Sequence, residues 1–282
     1  GWRSANGASE MTNEQGKAPL PLLELERIGK RYGGVVALEG VSVKIRPGTV
    51  TGLVGNNGAG KSTLVRILSG VNGQDEGTIR WKGSEVRFRS PADARRTGID
   101  TVFQELALAD DLDAAGNVFL NRELSYGFGP FRFRRDREMR RRAAELFERF
   151  GINLPSNGSI RSMSGGQRQG VAIGRALLGG SELLLLDEPT AALGVKESRH
   201  IEELMLSLRS QGIAIVLVSH SVDQLLHVCD QLLVLRRGQM VGVYERADLT
   251  PRDVVSLIVG ADELETDMSR LDVATDAPGV GA

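Results

Sequence analysis

One run of residues is built to hold phosphate: Gly55-Asn56-Asn57-Gly58-Ala59-Gly60-Lys61-Ser62. It fits G-x-x-x-x-G-K-[ST] at every defined position, and it lies between an apolar stretch (50–54) and a helical run (62–68). The glycines let the backbone curl so that successive N–H groups face phosphate oxygens, and the helix N-terminus adds positive potential. Lys61 is placed to reach the β- and γ-phosphates, and the Ser62 hydroxyl to bind Mg²⁺. Thr63, next in the helical run, is grouped with the nucleotide-binding residues. The motif specifies a nucleotide and leaves open what is done with it.

A second group of reactive side chains ends the run Leu183-Leu184-Leu185-Leu186-Asp187-Glu188. Four leucines read as a buried strand, and ligands in parallel α/β sheets gather beyond the carboxyl ends of the strands. Asp187 is therefore expected near the phosphate loop, holding Mg²⁺ through water. Glu188 is the candidate general base, placed to polarise an attacking water. His220 follows a third apolar run, 213–219, and that strand-end position suits a γ-phosphate contact. His200 and His227 lie in helical stretches without such context and read as surface or structural histidines.

These residues need strands that end together and helices that begin there. Apolar alternation predicts strands at 23–28, 41–45 and 50–54, punctuated by Gly33-Gly34 and Pro47-Gly48, with further strands at 77–81 and 99–103. Ser90-Pro91-Ala92-Asp93 has the order of a helix start. Asp136 is expected to cap a helix with Met139, Ala143, Phe147 and Phe150 on one face, ending at Gly151. A strand at 183–186, a helix near 196–209, a strand at 213–219 and a helix from about 221 complete the pattern. Strands alternating with helices predict α/β with a largely parallel sheet. The front half is richer in strands, and 104–180 is more helical.

The composition sets limits. Among 282 residues, 25% are charged and 41% hydrophobic, which excludes a wholly disordered chain. The formal charge of −1 supplies no bulk attraction to nucleic acid or anionic lipid. The longest apolar run, 213–218, is far short of the roughly 20 residues a membrane-spanning helix needs. Cys229 is the single cysteine, which excludes an intramolecular disulfide and fits a reducing compartment; it sits in an apolar helical stretch and reads as packed. Residues 1–18 read as a disordered leader with Met11 as a candidate start, and 261–282 as a flexible tail. No secretory signal is visible. Arg134, Arg135, Arg137, Arg140, Arg141 and Arg142, with Arg132 before them, form a basic run that reads as a solvated helix face.

Ser164-Gly165-Gly166-Gln167, followed by a helical stretch at 168–178, precedes the Leu183 strand. Taken with the phosphate loop, Gln104, Asp187-Glu188 and His220 in this order, it resembles the nucleotide-binding cassette of ABC transporters over residues 22–260. The resemblance implies a P-loop NTPase core with a mostly parallel sheet, an N-terminal antiparallel β subdomain and an inserted helical subdomain at about 105–180, within one ATPase domain spanning 19–260. It implies that Tyr32 stacks on adenine, and that Gln104 links Mg²⁺ and the γ-phosphate to a transmembrane partner. It further implies that the 164–167 signature completes the ATP site of a second copy, so that hydrolysis takes a head-to-tail dimer. Most cassettes place an aspartate where this chain has Gly194.

Gln104-Glu105, the stretch 90–94 and Ala191-Ala192-Leu193-Gly194-Val195 look like the branch that imports simple sugars of the ribose, xylose and fructose kind. That branch implies a cytoplasmic ATPase subunit, peripheral on the inner face of the membrane. Its partners would be two permease subunits and, indirectly, an extracytoplasmic sugar-binding protein, with no nucleic acid. The alternatives are a soluble ABC ATPase acting on nucleic acid or ribosomes, which usually carries insertions or tandem cassettes, and a switch that binds ATP without hydrolysing it, against which Glu188 and His220 argue.

Overall fold

A computed structural model describes residues 20–126, 133–154 and 158–259. The leader 1–18, Arg132 and the tail 261–282 lie outside the described residues. Strands β1 (Leu23–Tyr32) and β2 (Val35–Ile45) form a hairpin across Gly33-Gly34, and β3 (Val50–Val54) leads into α1 (Lys61–Leu68). Next come β4 (Glu76–Trp81), β5 (Ser84–Val86), α2 (Pro91–Thr97) and β6 (Ile99–Val102). The segment up to the next long strand holds α3 (Ala114–Val118), the short pair β7 (Ser125–Tyr126) and β8 (Phe133–Arg134), α4 (Asp136–Phe150) and α5 (Gly165–Leu177). The chain then runs through β9 (Leu183–Asp187), α6 (Val195–Ser210), β10 (Ala214–Val218), α7 (Val222–Val228), β11 (Gln231–Arg236), β12 (Gln239–Glu245) and α8 (Pro251–Val259).

Ten strands form one sheet in the order β5-β4-β1-β2-β12-β11-β3-β10-β9-β6. The front strands pair antiparallel, β1 with β2 and β4, and β4 with β5. From β11 to β6 the ladder is parallel. The β11/β12 hairpin joins the two halves, with Gln239 of β12 opposite Glu39 of β2. The fold is α/β, with a mostly parallel core and an antiparallel front portion.

Period-two alternation divides the parallel strands between two cores. Leu184 and Leu186 of β9, Ile215 and Leu217 of β10, and Leu232 and Val234 of β11 pack with the helices α3 to α7. Leu183 and Leu185, Val216 and Val218, and Leu233 and Leu235 pack on the other face with α1 and the front strands. Both faces are covered, which is why these strands read as unbroken apolar runs. The four leucines of β9 are each at most 1% exposed, and each stabilises the fold by about 1.5–3 kcal/mol relative to exposure.

Met139, Ala143, Phe147 and Phe150 are the buried face of α4, which ends at Gly151 in the left-handed conformation, as the spacing predicts. Three local expectations are corrected. Asp136 is the first residue of α4, with Arg135 in the cap position and no side-chain cap bond there. The helix expected from 168 starts at Gly165, because Ser164 and Gln167 form a reciprocal capping box. Cys229 lies just past the end of α7 instead of inside it, still 5% exposed, with its thiol pKa raised by burial. The basic run pairs within its own chain. Arg141 bonds Glu138 and Glu145, Arg142 bonds Glu138, and Arg140 bonds Asp113.

Candidate nucleotide site

Strand register brings the chemistry together. Leu53 of β3 lies opposite Val218 of β10, and Val218 lies opposite Asp187 of β9. Val102 of β6 lies opposite Leu186. All four strands run parallel, so the residues that follow them emerge at one end of the sheet: the phosphate loop, His220, Glu188 and Gln104.

Gly55 opens the loop in a conformation that excludes a side chain. A Cβ there would lie 2.1 Å from the Leu235 carbonyl oxygen of β11. Gly60, at φ 103°, takes the left-handed N-cap position of α1 with no side-chain cap, which leaves the first helical N–H groups available to a ligand. Asn57, Gly58 and Ser62 are exposed, Asn56, Gly60 and Thr63 half-buried, and Ala59 buried. Lys61 is 7% exposed. Its ammonium folds back on the loop, donating to the carbonyl oxygens of Gly55 (2.6 Å) and Asn56 (3.1 Å).

Opposite this cation stand the two acids. Burial lowers the pKa of Lys61, and the charges of Glu188 and Asp187 pull it back up. Burial raises Asp187, and Lys61, Arg66 and His220 oppose that rise. Desolvation therefore outweighs pairing at both ends of the site, and each charge gains from further counter-charge. The backbone of Glu188 is left-handed, φ 53°, a conformation uncommon for a side-chain-bearing residue and enriched where structure holds a functional group in place. Its N–H donates to the Val218 carbonyl oxygen at 3.0 Å, tying the end of β9 to the end of β10. That tie brings Glu188 Oε1 within 2.9 Å of His220 Nε2.

Gln104 is exposed beyond β6, and with Glu188 and Gly165 it lines a cleft of about 330 Å³. Ser164, Gly166 and Gln167 open instead onto a separate cleft of about 630 Å³ between α4, α5 and α6. Tyr32 stands apart at the end of β1, 43% exposed, with its hydroxyl bonded to Asn72 and the Lys30 ammonium 5.5 Å from its ring centre.

Three residues escaped the sequence reading. Glu197 accepts from the Gly194 N–H at 3.2 Å, and bonds to the Ser164 side chain and the Gly166 backbone hold its carboxyl below the ordinary range. The Gly194-x-x-Glu197 spacing before a helix carried that signal. Gln224, 2% exposed, bonds the Thr190 hydroxyl and so ties the loop after Glu188 to α7, next to His220. Gln169, 5% exposed, lines the Gln104 cleft with a side-chain nitrogen that has no partner among the described residues.

The donor set suits a hard cation shared with a nucleotide. A hydroxyl (Ser62), a carboxylate (Asp187) and an amide oxygen (Gln104) are oxygen ligands of the Mg²⁺ type. Among the described residues no cluster of His, Cys, Asp and Glu could hold a metal without the nucleotide's help. No helix among them is long and apolar enough to cross a membrane.

A phosphate loop at the end of β3, with an acid pair at the same end of β9 one strand beyond β10, defines a nucleoside-triphosphate-binding α/β protein. The ABC transporter family profile matches residues 38–191. The fructose import ATP-binding protein FrcA of Rhizobium meliloti is 41% identical over 251 residues, covering 87% of this chain and 96% of that one. The ribose import ATP-binding protein RbsA 1 of Burkholderia thailandensis is 42% identical over 240 residues, 85% of this chain and 47% of that one. The chain thus spans nearly all of the first relative and about half of the second. A solved ATP-binding cassette of an ABC transporter in its ADP conformation superposes with a TM-score of 0.73 at 25% identity, covering 88% of this chain and 98% of that one. The dimeric structure of a bacterial ABC transporter cassette gives 0.65 at 26% identity, over 79% and 98%. The chain belongs to the ABC transporter family, as an ATP-binding cassette with the ATPase fold.

Proposed function

We propose that the chain is the ATP-hydrolysing subunit of a simple-sugar importer. It would work as a head-to-tail pair of its own copies against two permease subunits on the cytoplasmic face of the membrane. An extracytoplasmic binding protein would deliver the sugar. The convergence of the loop 55–62, Asp187-Glu188, His220 and Gln104 at one sheet end carries the ATPase reading, and the fructose and ribose import relatives support the substrate class.

In this reading the Lys61 ammonium leaves the Gly55 and Asn56 carbonyls for the β- and γ-phosphates, a stronger charge-assisted contact than the one it gives up. Backbone N–H groups of residues 55–63 hold the remaining phosphate charge, and Tyr32 stacks on the adenine. Ser62, Asp187 and Gln104 would hold Mg²⁺, which would supply Lewis-acid charge neutralisation to the bound nucleotide. Glu188, oriented by its contact with His220, accepts a proton from the attacking water, while His220 also faces the γ-phosphate. Ser164, Gly165, Gly166 and Gln167 present the N-terminus of α5 to the ATP of the second copy.

Phosphate release by the purified chain tests the enzymatic half, with Lys61→Ala expected to abolish it and to weaken ATP binding. Near-parental turnover would remove Lys61 from the site. Uptake of labelled fructose and ribose by cells lacking the chain tests the substrate class. Unchanged uptake of every simple sugar tried would point to another cargo.

A further inference from the structure

We infer that Arg175 is a positioning residue for Gln104, clasping the loop that follows Gln104 to the helix that begins at Ser164. Arg175 lies near the C-terminal end of α5. Its guanidinium donates through Nη1 to the Ala107 carbonyl oxygen at 2.8 Å and through Nη2 to the Leu106 carbonyl oxygen at 2.7 Å. The two acceptors are consecutive, two and three residues beyond Gln104. The guanidinium presents both donors in one rigid planar fork, whereas a lysine ammonium offers rotatable donors on a flexible stem and holds the pair in no fixed geometry.

The clasped loop does not hold its shape by local preference. Ala107 is exposed and left-handed, φ 48°, a conformation alanine adopts against its steric preference. Something outside the loop must fix it, and the Arg175 fork is bonded to that very residue. The guanidinium is itself partly desolvated; Asp100 of β6 supplies the opposing charge, while Arg122 and Arg95 work against it. Half-burying a charged group to bond two carbonyls carries a desolvation cost, and the place of the clasp shows what it achieves. Gln104 lies at one side of the clasp, and one continuous helix leads from the clasp to the Ser164 cap.

The inference rests on the reading above, in which Gln104 meets Mg²⁺ and the γ-phosphate. The test compares Arg175→Lys, Gln104→Ala and the double variant in the full chain, with phosphate release, binding of a fluorescent ATP analogue and the thermal midpoint as readouts. Arg175→Lys keeps the cation beside Asp100 and loses the fork. It should retain analogue affinity and midpoint while kcat falls roughly tenfold to a hundredfold, the scale of a small misplacement of a reacting group. The double variant should be no slower than Gln104→Ala alone, since both changes remove one function. Ala107→Pro, which forbids the left-handed backbone from the other side of the clasp, should reproduce the loss of kcat, and it decides the matter if Arg175→Lys fails to fold.

Parental kcat in Arg175→Lys or in Ala107→Pro would overturn the clasp, as would losses that multiply in the double variant. A slow Gln104→Ala beside a parental Arg175→Lys removes this inference alone. A parental Gln104→Ala removes the role of Gln104, and the clasp's role with it.

Discussion

Glu188 and Asp187 are neighbours in sequence but differ in environment, and the difference assigns their work. Glu188 is turned out of the strand by a left-handed backbone and bonded to His220, which supports its proposed role as the group that orients water. Replacing it by glutamine should preserve ATP binding and slow hydrolysis by about 10²–10⁴-fold, the usual cost of losing a general base; single-turnover phosphate release measures it. Asp187 is desolvated, with its pKa raised above the ordinary 3.8. The native state therefore keeps a proton that the unfolded chain loses as pH climbs past that value. Against the opposite slope from carboxylates whose pKa is lowered, such as Glu138 and Asp75, the contribution of Asp187 to the stability of the nucleotide-free chain falls as pH rises through the window up to its raised native pKa. Asp187→Asn removes this slope, so its thermal midpoint should gain on the parent between pH 4 and pH 7 while Mg²⁺-dependent hydrolysis is lost. An equal offset at both pH values would show that Asp187 is not the strained carboxylate.

At the scale of elements, the sequence was most readable where one physical signal dominated. The loop 55–62 and the four leucines of β9 announced themselves because a phosphate cradle and a doubly covered strand each demand a narrow set of residue types. Helix α5 begins at Gly165, three residues before the sequence predicts, because Gly165 and Gly166 have the look of a turn while the Ser164/Gln167 capping box overrides their poor helix propensity. Contacts distant in sequence had no local signature at all. Glu197 reaches Ser164 and Arg175 reaches the 106–107 carbonyls only because α5 packs against α6 and beside β6. The loop's seating on β11 is equally non-local. Gly55→Ala would drive a Cβ against the Leu235 backbone, where no flexible side chain can yield. It should cost about 1–3 kcal/mol of stability and most of the ATP affinity, as read by denaturant unfolding and nucleotide titration. A variant that binds ATP as the parent does would mean that β11 is not the wall of the cradle.

For the whole molecule, the site within one chain is half of the proposed machine. The phosphate loop and Glu188 gather at one sheet end, whereas Ser164, Gly166 and Gln167 face a different cleft. In the proposed pairing an ATP held by one copy would be completed by the signature of another, and a similar bacterial cassette has a solved dimeric structure. Ser164→Arg should bind ATP through Lys61 yet fail to pair around it, remaining monomeric in sedimentation at any ATP concentration. Glu188→Gln separates pairing from turnover, because it removes a negative charge from the crowded interface and leaves the phosphate loop intact. Sedimentation velocity of the Glu188→Gln chain, with and without saturating MgATP, is the most direct test of the account. A monomer that becomes a dimer only when MgATP is present is the predicted result. A chain that stays monomeric at saturating MgATP, or that dimerises equally without it, would contradict the account.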